Sequence, residues 1–210
     1  MTTVRMCAIC GIREATTWDH LPPRAIFPKP RPSNLVTVPA CFTCNHGASN
    51  HDEQFRVYLA MQTGTDHPQS KKLWKEHSMA TLRKNKKLHR TILQGMRPVE
   101  LRSDAGIYFG RRTGFLFPVE VYEGVMERTA RGLYYHHFGE ILGAQVRCEV
   151  NFLRSLDAEF LEMSANWPYA DIGSGAVVYR YSRVADAPLN SAWVFQFYDA
   201  HWALVETERV

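Results

Sequence analysis

The 210-residue sequence predicts an α+β protein in three segments. These are an N-terminal unit of two short strands and a helix, a basic helical segment, and a C-terminal α+β region with antiparallel strands. Three observations predict this arrangement: two Cys-x-x-Cys pairs close to the N-terminus, a concentration of Lys and Arg between positions 71 and 90, and runs of β-branched and aromatic residues after position 175. We place the segments at residues 1–64, 65–97 and 98–210.

The two cysteine pairs predict a structural zinc site. Cys7-x-x-Cys10 and Cys41-x-x-Cys44 are loops that each allow two thiolates to face one ion, and four thiolates are a ligand set that tetrahedral zinc prefers. The alternative is four unrelated buried thiols, which the paired spacing disfavours. We expect the fifth cysteine, Cys148, to be a small buried apolar residue.

The composition indicates a globular intracellular protein. Hydrophobic residues make up 45% of the chain, which is typical of globular domains. The N-terminal residues lack the apolar core of a signal peptide, and no stretch approaches the roughly 18 apolar residues of a membrane span. An odd cysteine count with four cysteines in paired loops favours metal binding over disulfides. We therefore predict a cytoplasmic protein.

The N-terminal unit is predicted to contain two strands and a helix. Residues 16–21 have the β-branched and aromatic character of a strand, and residues 34–39 form a second strand that a proline is expected to stop. The prolines between them favour a stiff loop with one helical turn within residues 23–27. Helical spacing of apolar residues begins after Cys44 and is expected to end at Gly64.

The second segment is predicted to be a helix over residues 69–93, with a break near Asn85. Between positions 71 and 90 there are eight basic residues and one acidic residue, Glu76, so this stretch has a formal charge of +7. Such a strip attracts polyanions and contributes salt-dependent affinity for phosphates. The alternative is the solvated face of a helix. The basic residues are Lys71, Lys72, Lys75, Arg83, Lys84, Lys86, Lys87 and Arg90.

The third segment is predicted to mix strands and helices. Strands are expected at residues 99–102, 107–110, 114–117, 176–181, 193–198 and 202–205, and helices at residues 119–142 and 157–166. The adjacent His136 and His137 could suggest a second site. Neighbouring helical residues point in different directions, so we expect a packed, hydrogen-bonded cluster instead.

Several short motifs follow one another in a particular order in the N-terminal unit. After Cys7-x-x-Cys10 come Trp18-Asp19-His20-Leu21-Pro22, Asn34-Leu35-Val36 and Cys41-x-x-Cys44-Asn45. Together they resemble the zinc-bearing form of the HNH endonuclease family, over residues 5–62. The resemblance implies a treble-clef-like ββα-metal unit, in which a hairpin and a helix hold one divalent cation against the scissile phosphate. It also implies phosphodiester hydrolysis.

The resemblance assigns roles to individual residues. It implies that His20 is the general base for the attacking water, that Asp19 binds the catalytic cation, and that Asn45 supplies the second protein ligand. It implies that Asn34 orients the base or the hairpin. The roles agree with the chemistry, because imidazole can accept a proton near neutral pH and a carboxylate with an amide oxygen leaves Mg²⁺ or Mn²⁺ open positions.

Alternatives to these roles remain open. His46 or a residue of His51-Asp52-Glu53 could replace Asn45 as the last metal ligand, with His46 and His51 preferred among these. Asp19-His20 on its own could be a helix or turn cap with a hydrogen-bonded histidine. We expect DNA as the substrate, double-stranded, and the resemblance implies a setting in phage, mobile elements or antiphage defence. The candidate nucleic-acid-binding residues are Arg24, Lys71, Lys72, Lys75, Arg83, Lys84, Lys86 and Lys87.

Two further hypotheses come from other functional classes. One is a zinc-stabilised DNA-binding module without catalysis. The other is a protein-interaction component of a larger assembly, in which the C-terminal region binds partner proteins and the zinc unit serves as a scaffold.

Overall fold

The computed structural model describes residues 4–61, 67–103, 105–116, 118–153 and 155–210, and it is α+β with antiparallel sheets, as predicted. The strands in these ranges are β1 (Thr17–Leu21), β2 (Val36–Ala40), β3 (Met96–Arg102), β4 (Tyr108–Phe115), β5 (Val146–Leu153), β6 (Tyr169–Ile172), β7 (Val177–Val184), β8 (Ala187–Phe197) and β9 (His201–Arg209). The α-helices are α1 (Phe42–His46), α2 (Ser49–Met61), α3 (Pro68–Leu73), α4 (Met79–Lys84), α5 (Lys86–Gly95), α6 (Val119–Phe138) and α7 (Ala158–Ser164).

Strands β1 and β2 form an antiparallel pair with a 3₁₀ turn at Arg24–Ile26 between them, which confirms both strands and the helical turn. The prediction that a proline stops β2 is wrong, because the strand continues through Pro39 to Ala40. The carbonyl of Pro39 accepts the N–H of Ala8 at 2.9 Å and thus points away from β1. Its nitrogen faces the same way, so the missing N–H removes no bond from the β1–β2 ladder.

The break at Asn85 is confirmed, since Asn85 separates α4 from α5 with φ −87° and ψ 82°. Its side-chain oxygen accepts the N–H of Leu88, so the same residue that ends one helix caps the next. A π-helical turn at Trp74–Ser78 joins α3 to α4. The predicted helix end at Gly64 lies outside the described residues.

The predicted strands 107–110 and 114–117 are in fact one strand, β4, which pairs with β3 in a hairpin; Phe117 lies outside the described residues. Helix α6 ends at Phe138, earlier than predicted, because Gly139 adopts the left-handed conformation (φ +71°) that terminates many helices. Strands β5 and β6 were not predicted. The alternating apolar and polar residues from Val146 to Val150 are the signal for β5 that was missed.

The C-terminal strands form one antiparallel sheet in the order β5-β9-β8-β7-β6. Helix α6 contacts β5 and β9 of this sheet and also β1, β2 and α2 of the N-terminal unit. The largest buried core accordingly contains residues of both predicted end segments, including Leu21, Phe55 and Trp193. Neither α6 nor any other helix in the described ranges is long and apolar enough to cross a membrane.

Candidate functional site

The four paired cysteines meet at one point. Cys7 and Cys10 belong to an N-terminal turn, while Cys41 and Cys44 stand at the start of α1, and all four sulfur atoms lie within 4.8 Å of one another. Four soft donors converging in this way fit the ligand set of a structural zinc ion. The cluster could therefore hold zinc, as the spacing predicts.

Two donors favour the thiolate form of Cys41. The backbone N–H of Cys44 donates to its sulfur at 3.4 Å, and Nη1 of Arg13 lies 3.6 Å from the same atom. Burial opposes ionisation, but these hydrogen bonds, together with those from the thiols of Cys44 and Cys7, outweigh it and lower the pKa of Cys41 to about 6. Because the thiolate is the form that binds metal, Arg13 supports the candidate zinc site, although the sequence analysis did not single it out.

Asp19 and His20 lie on opposite faces of β1, as expected for neighbouring strand residues. The Asp19 side chain points inward and is 5% exposed, whereas His20 is half-buried on the outer face. Burial lowers the pKa of His20, and the positive charges of Arg24 and Arg31 lower it further against the opposing effect of Asp19. The imidazole is therefore neutral near pH 7, the form that can accept a proton.

The inward carboxylate of Asp19 faces an arginine of helix α6. Its Oδ1 accepts the N–H of His20 at 2.8 Å, and its Oδ2 lies 3.6 Å from Nε of Arg128. Arg128 is 5% exposed and also donates from Nη2 to Oδ1 of Asp52. The guanidinium of Arg128 thus lies beside the carboxylate of Asp19, where a metal ion would have to bind if Asp19 were its ligand. Arg128 was not among the predicted site residues, whereas Asp52 was one of the alternatives for the last metal ligand.

The two candidate asparagines are held in different places. Nδ2 of Asn45 donates to the carbonyl of Trp18 at 3.0 Å and to Oγ1 of Thr17 at 3.1 Å, which ties α1 to β1. Nδ2 of Asn34 donates to the carbonyl of Asp171 at 2.7 Å, so it fastens the hairpin loop to the C-terminal sheet. The structure brings Asn45 to the strand of His20, and Asn34 bonds elsewhere.

The two alternative histidine ligands, His46 and His51, have different surroundings. His46 is exposed and stacks on Phe42, with ring centroids 4.3 Å apart. His51 packs against α6, where a Cβ on Gly124 would lie 3.3 Å from its Nδ1 atom. A groove next to the cysteine cluster is lined by Cys10, Cys44, His51, Gly124 and Arg128, among others.

Most candidate nucleic-acid-binding residues are exposed. Arg24 lies in the 3₁₀ turn that follows β1, and the basic residues of the second segment lie on α3, the π-helical turn, α4 and α5. Lys72 is the exception, because it is half-buried and donates to the carbonyl of Lys29. This bond joins the proline-rich loop that carries Arg31 to the basic helices.

Comparison of this chain with protein-family models, curated proteins and solved structures finds no match. Its function is therefore argued from the residues of the site.

Proposed function

We propose that this chain is an HNH-type endonuclease that hydrolyses phosphodiester bonds in DNA, with His20 as the general base. The observation that carries the proposal is the setting of His20. It is a half-buried histidine with a lowered pKa on the outer face of β1, and the charges of Arg24 and Arg31 act on it. The strand that carries it is bonded to α1 through Asn45.

This setting suits attack by water on a phosphodiester. A neutral His20 would accept a proton from a water molecule on the outer face of β1, while Arg24 and Arg31 would stabilise the negative charge that builds up on the phosphate oxygens. The bond from phosphorus to the leaving oxygen breaks as the bond to the water oxygen forms. Phosphates drawn to the basic helices would bring the duplex to this surface.

The proposal gives the two kinds of metal different roles. Zinc would be structural, because the four cysteine thiolates would supply all four ligands of a tetrahedral ion. A hard cation such as Mg²⁺ or Mn²⁺ would neutralise phosphate charge, but Asp19 is ion-paired with Arg128 and Nδ2 of Asn45 is hydrogen-bonded to β1. The ion-paired carboxylate of Asp19 therefore does not fit the role of cation ligand, and no step of the reaction is assigned to that cation.

The test is nicking of supercoiled plasmid DNA by zinc-loaded protein, with and without added Mg²⁺ or Mn²⁺. We expect the wild type to nick and His20→Ala to bind the plasmid without nicking it. A wild-type preparation that binds DNA but never nicks at any protein concentration would reject the proposal.

A second candidate is a zinc-stabilised DNA-binding module without catalysis. The ion pair between Asp19 and Arg128 favours this candidate, because a guanidinium pairs with the carboxylate that a nuclease would need as a cation ligand. This candidate predicts salt-dependent DNA binding that Mg²⁺ does not convert into cleavage. Binding and nicking measured on one preparation distinguish the two.

A further inference from the structure

Strands β3 and β4 form a two-stranded ribbon that is attached to the rest of the protein at its base. Met96 and Phe115, which pair with each other, pack against a separate buried cluster that includes Tyr58 and Leu88. The ring of Phe115 stacks on Tyr58 with centroids 5.5 Å apart. Beyond this base, nearly every residue of the ribbon is exposed on both faces. A two-stranded hairpin alone is only marginally stable, so an exposed one suggests a surface that binds a partner.

The two faces of the ribbon differ in charge. On one face, Glu100 pairs with Arg102 at 2.9 Å and with Arg111 at 3.5 Å, so its arginines are partly neutralised. The other face carries Arg97 and Arg112, which donate to backbone carbonyls and form no ion pair with a carboxylate of the described residues.

Apolar side chains lie beside these two arginines on the same face. Val99 is opposite Arg112 in the β3–β4 register and is 44% exposed, and Leu101 on the same face is 40% exposed. We call this surface, made of Arg97, Val99, Leu101 and Arg112, the arginine face. It combines donors for phosphates and base edges with apolar groups that can contact thymine methyls.

The ribbon also continues from the basic helices. Helix α5, which carries the exposed Lys86, Lys87 and Arg90, ends at Gly95, and β3 begins at the next residue. The N–H of Leu116 donates to the carbonyl of Gly95, which fixes the ribbon base to the helix end. A polyanion bound along α5 would therefore extend directly onto the ribbon.

We propose that the ribbon inserts its arginine face into the major groove of duplex DNA. The groove of B-DNA is about 12 Å wide and admits a two-stranded β-ribbon. Charge complementarity selects this partner, since the arginine face carries two positive charges without described acidic partners beside the most basic stretch of the chain. This proposal rests on the proposed function in that it assigns the contact with duplex DNA to the ribbon. It concerns DNA binding and does not require cleavage.

The test compares two double variants of equal charge by titrating a short labelled duplex and following its fluorescence anisotropy at several salt concentrations. Arg97→Gln with Arg112→Gln changes the arginine face, and Arg102→Gln with Arg111→Gln changes the opposite face. We expect the first pair to weaken binding at least about tenfold and to reduce the slope of log affinity against log salt by about 2. We expect the second pair to have a smaller effect on both quantities.

Equal effects of the two pairs, or no duplex binding by the wild type, would overturn the inference. The inference would also be overturned if the ribbon joined two copies of the chain. Sedimentation would then show wild-type dimers, and the double variant Val99→Ser with Leu101→Ser would be monomeric. Melting curves confirm that each variant is folded. Plasmid nicking by the same preparations separates the proposals, because a wild type that binds through the arginine face without nicking would reject only the nuclease.

Discussion

The Nε atom of Arg128 lies 3.6 Å from Oδ2 of Asp19, and both residues are 5% exposed. This ion pair joins the strand that carries His20 to helix α6, which also contacts the C-terminal sheet. The N-terminal unit is therefore held against the C-terminal region through a buried charge next to the candidate site. Since Arg128 also contacts Asp52, one guanidinium serves two carboxylates.

Replacement of Arg128 tests the energetic weight of this contact. Arg128→Met leaves the buried carboxylate of Asp19 and the half-buried carboxylate of Asp52 without a counter-charge, so we expect the free energy of unfolding to fall by about 3–5 kcal/mol. Urea denaturation measures it. The matched control is Arg147→Met, because Arg147 pairs with Glu208 on the exposed surface and such pairs contribute at most about 1 kcal/mol. Similar losses for both variants would contradict the account.

Two substitutions of Asn45 separate positioning from metal binding. Both Asn45→Ala and Asn45→Asp remove the Nδ2 donor to Trp18 and Thr17, but the aspartate keeps an oxygen that can bind a cation. If positioning dominates, both variants should lose about 1–2 kcal/mol of stability and a similar fraction of nicking. Nicking retained in Asn45→Asp and lost in Asn45→Ala would instead assign metal ligation to Asn45.

Cysteine substitutions test the candidate zinc site. Cys41→Ser removes one donor of the cluster and the hydrogen-bond acceptor of Cys44 and Arg13, so we expect it to lose most bound zinc and to melt at a markedly lower temperature. Cys148→Ser is the control, because Cys148 lies on β5 outside the cluster. Elemental analysis should give one zinc per chain for the wild type and the control. Equal zinc content in Cys41→Ser and the wild type would contradict zinc binding by the four cysteines.

The charge environment of His20 can be measured directly. Burial and Arg24 lower the pKa of its imidazole, so the ring should titrate below the ordinary value of 6.5 and the neutral form should persist to lower pH. Arg24→Gln should raise this pKa, because it removes a nearby positive charge, and Arg31→Gln should raise it less. NMR titration of the ring protons reports the values. A pKa above 6.5 in the wild type would contradict the proposed environment.

Local features of the fold could be predicted from the sequence, whereas long-range contacts could not. The helix break at Asn85 and the strand character of residues 16–21 depend on only a few neighbouring residues, so they could be predicted. The bonds of Asn34 to Asp171 and of Asp19 to Arg128 join residues more than 100 positions apart. No periodicity specifies such a partner, because it depends on how α6 and the sheet pack.

The candidate site was predictable to the same extent. The spacing of the cysteines indicated their cluster, and the position of His20 on a strand followed from its neighbours. No local pattern marks Arg128, which reaches the site only through the packing of α6. Arg13 lies three residues after Cys10, and only the fold brings it to Cys41.

The central claim is that His20 takes the proton from the attacking water. The most direct measurement is the single-turnover cleavage rate of duplex DNA by wild type, His20→Ala and His136→Ala, at saturating protein and equal occupancy of the DNA. His136 is the control because it is an exposed histidine on α6. We predict that His20→Ala cleaves at least about 100-fold more slowly with unchanged DNA affinity, and that His136→Ala matches the wild type. Equal rates for wild type and His20→Ala would contradict the account.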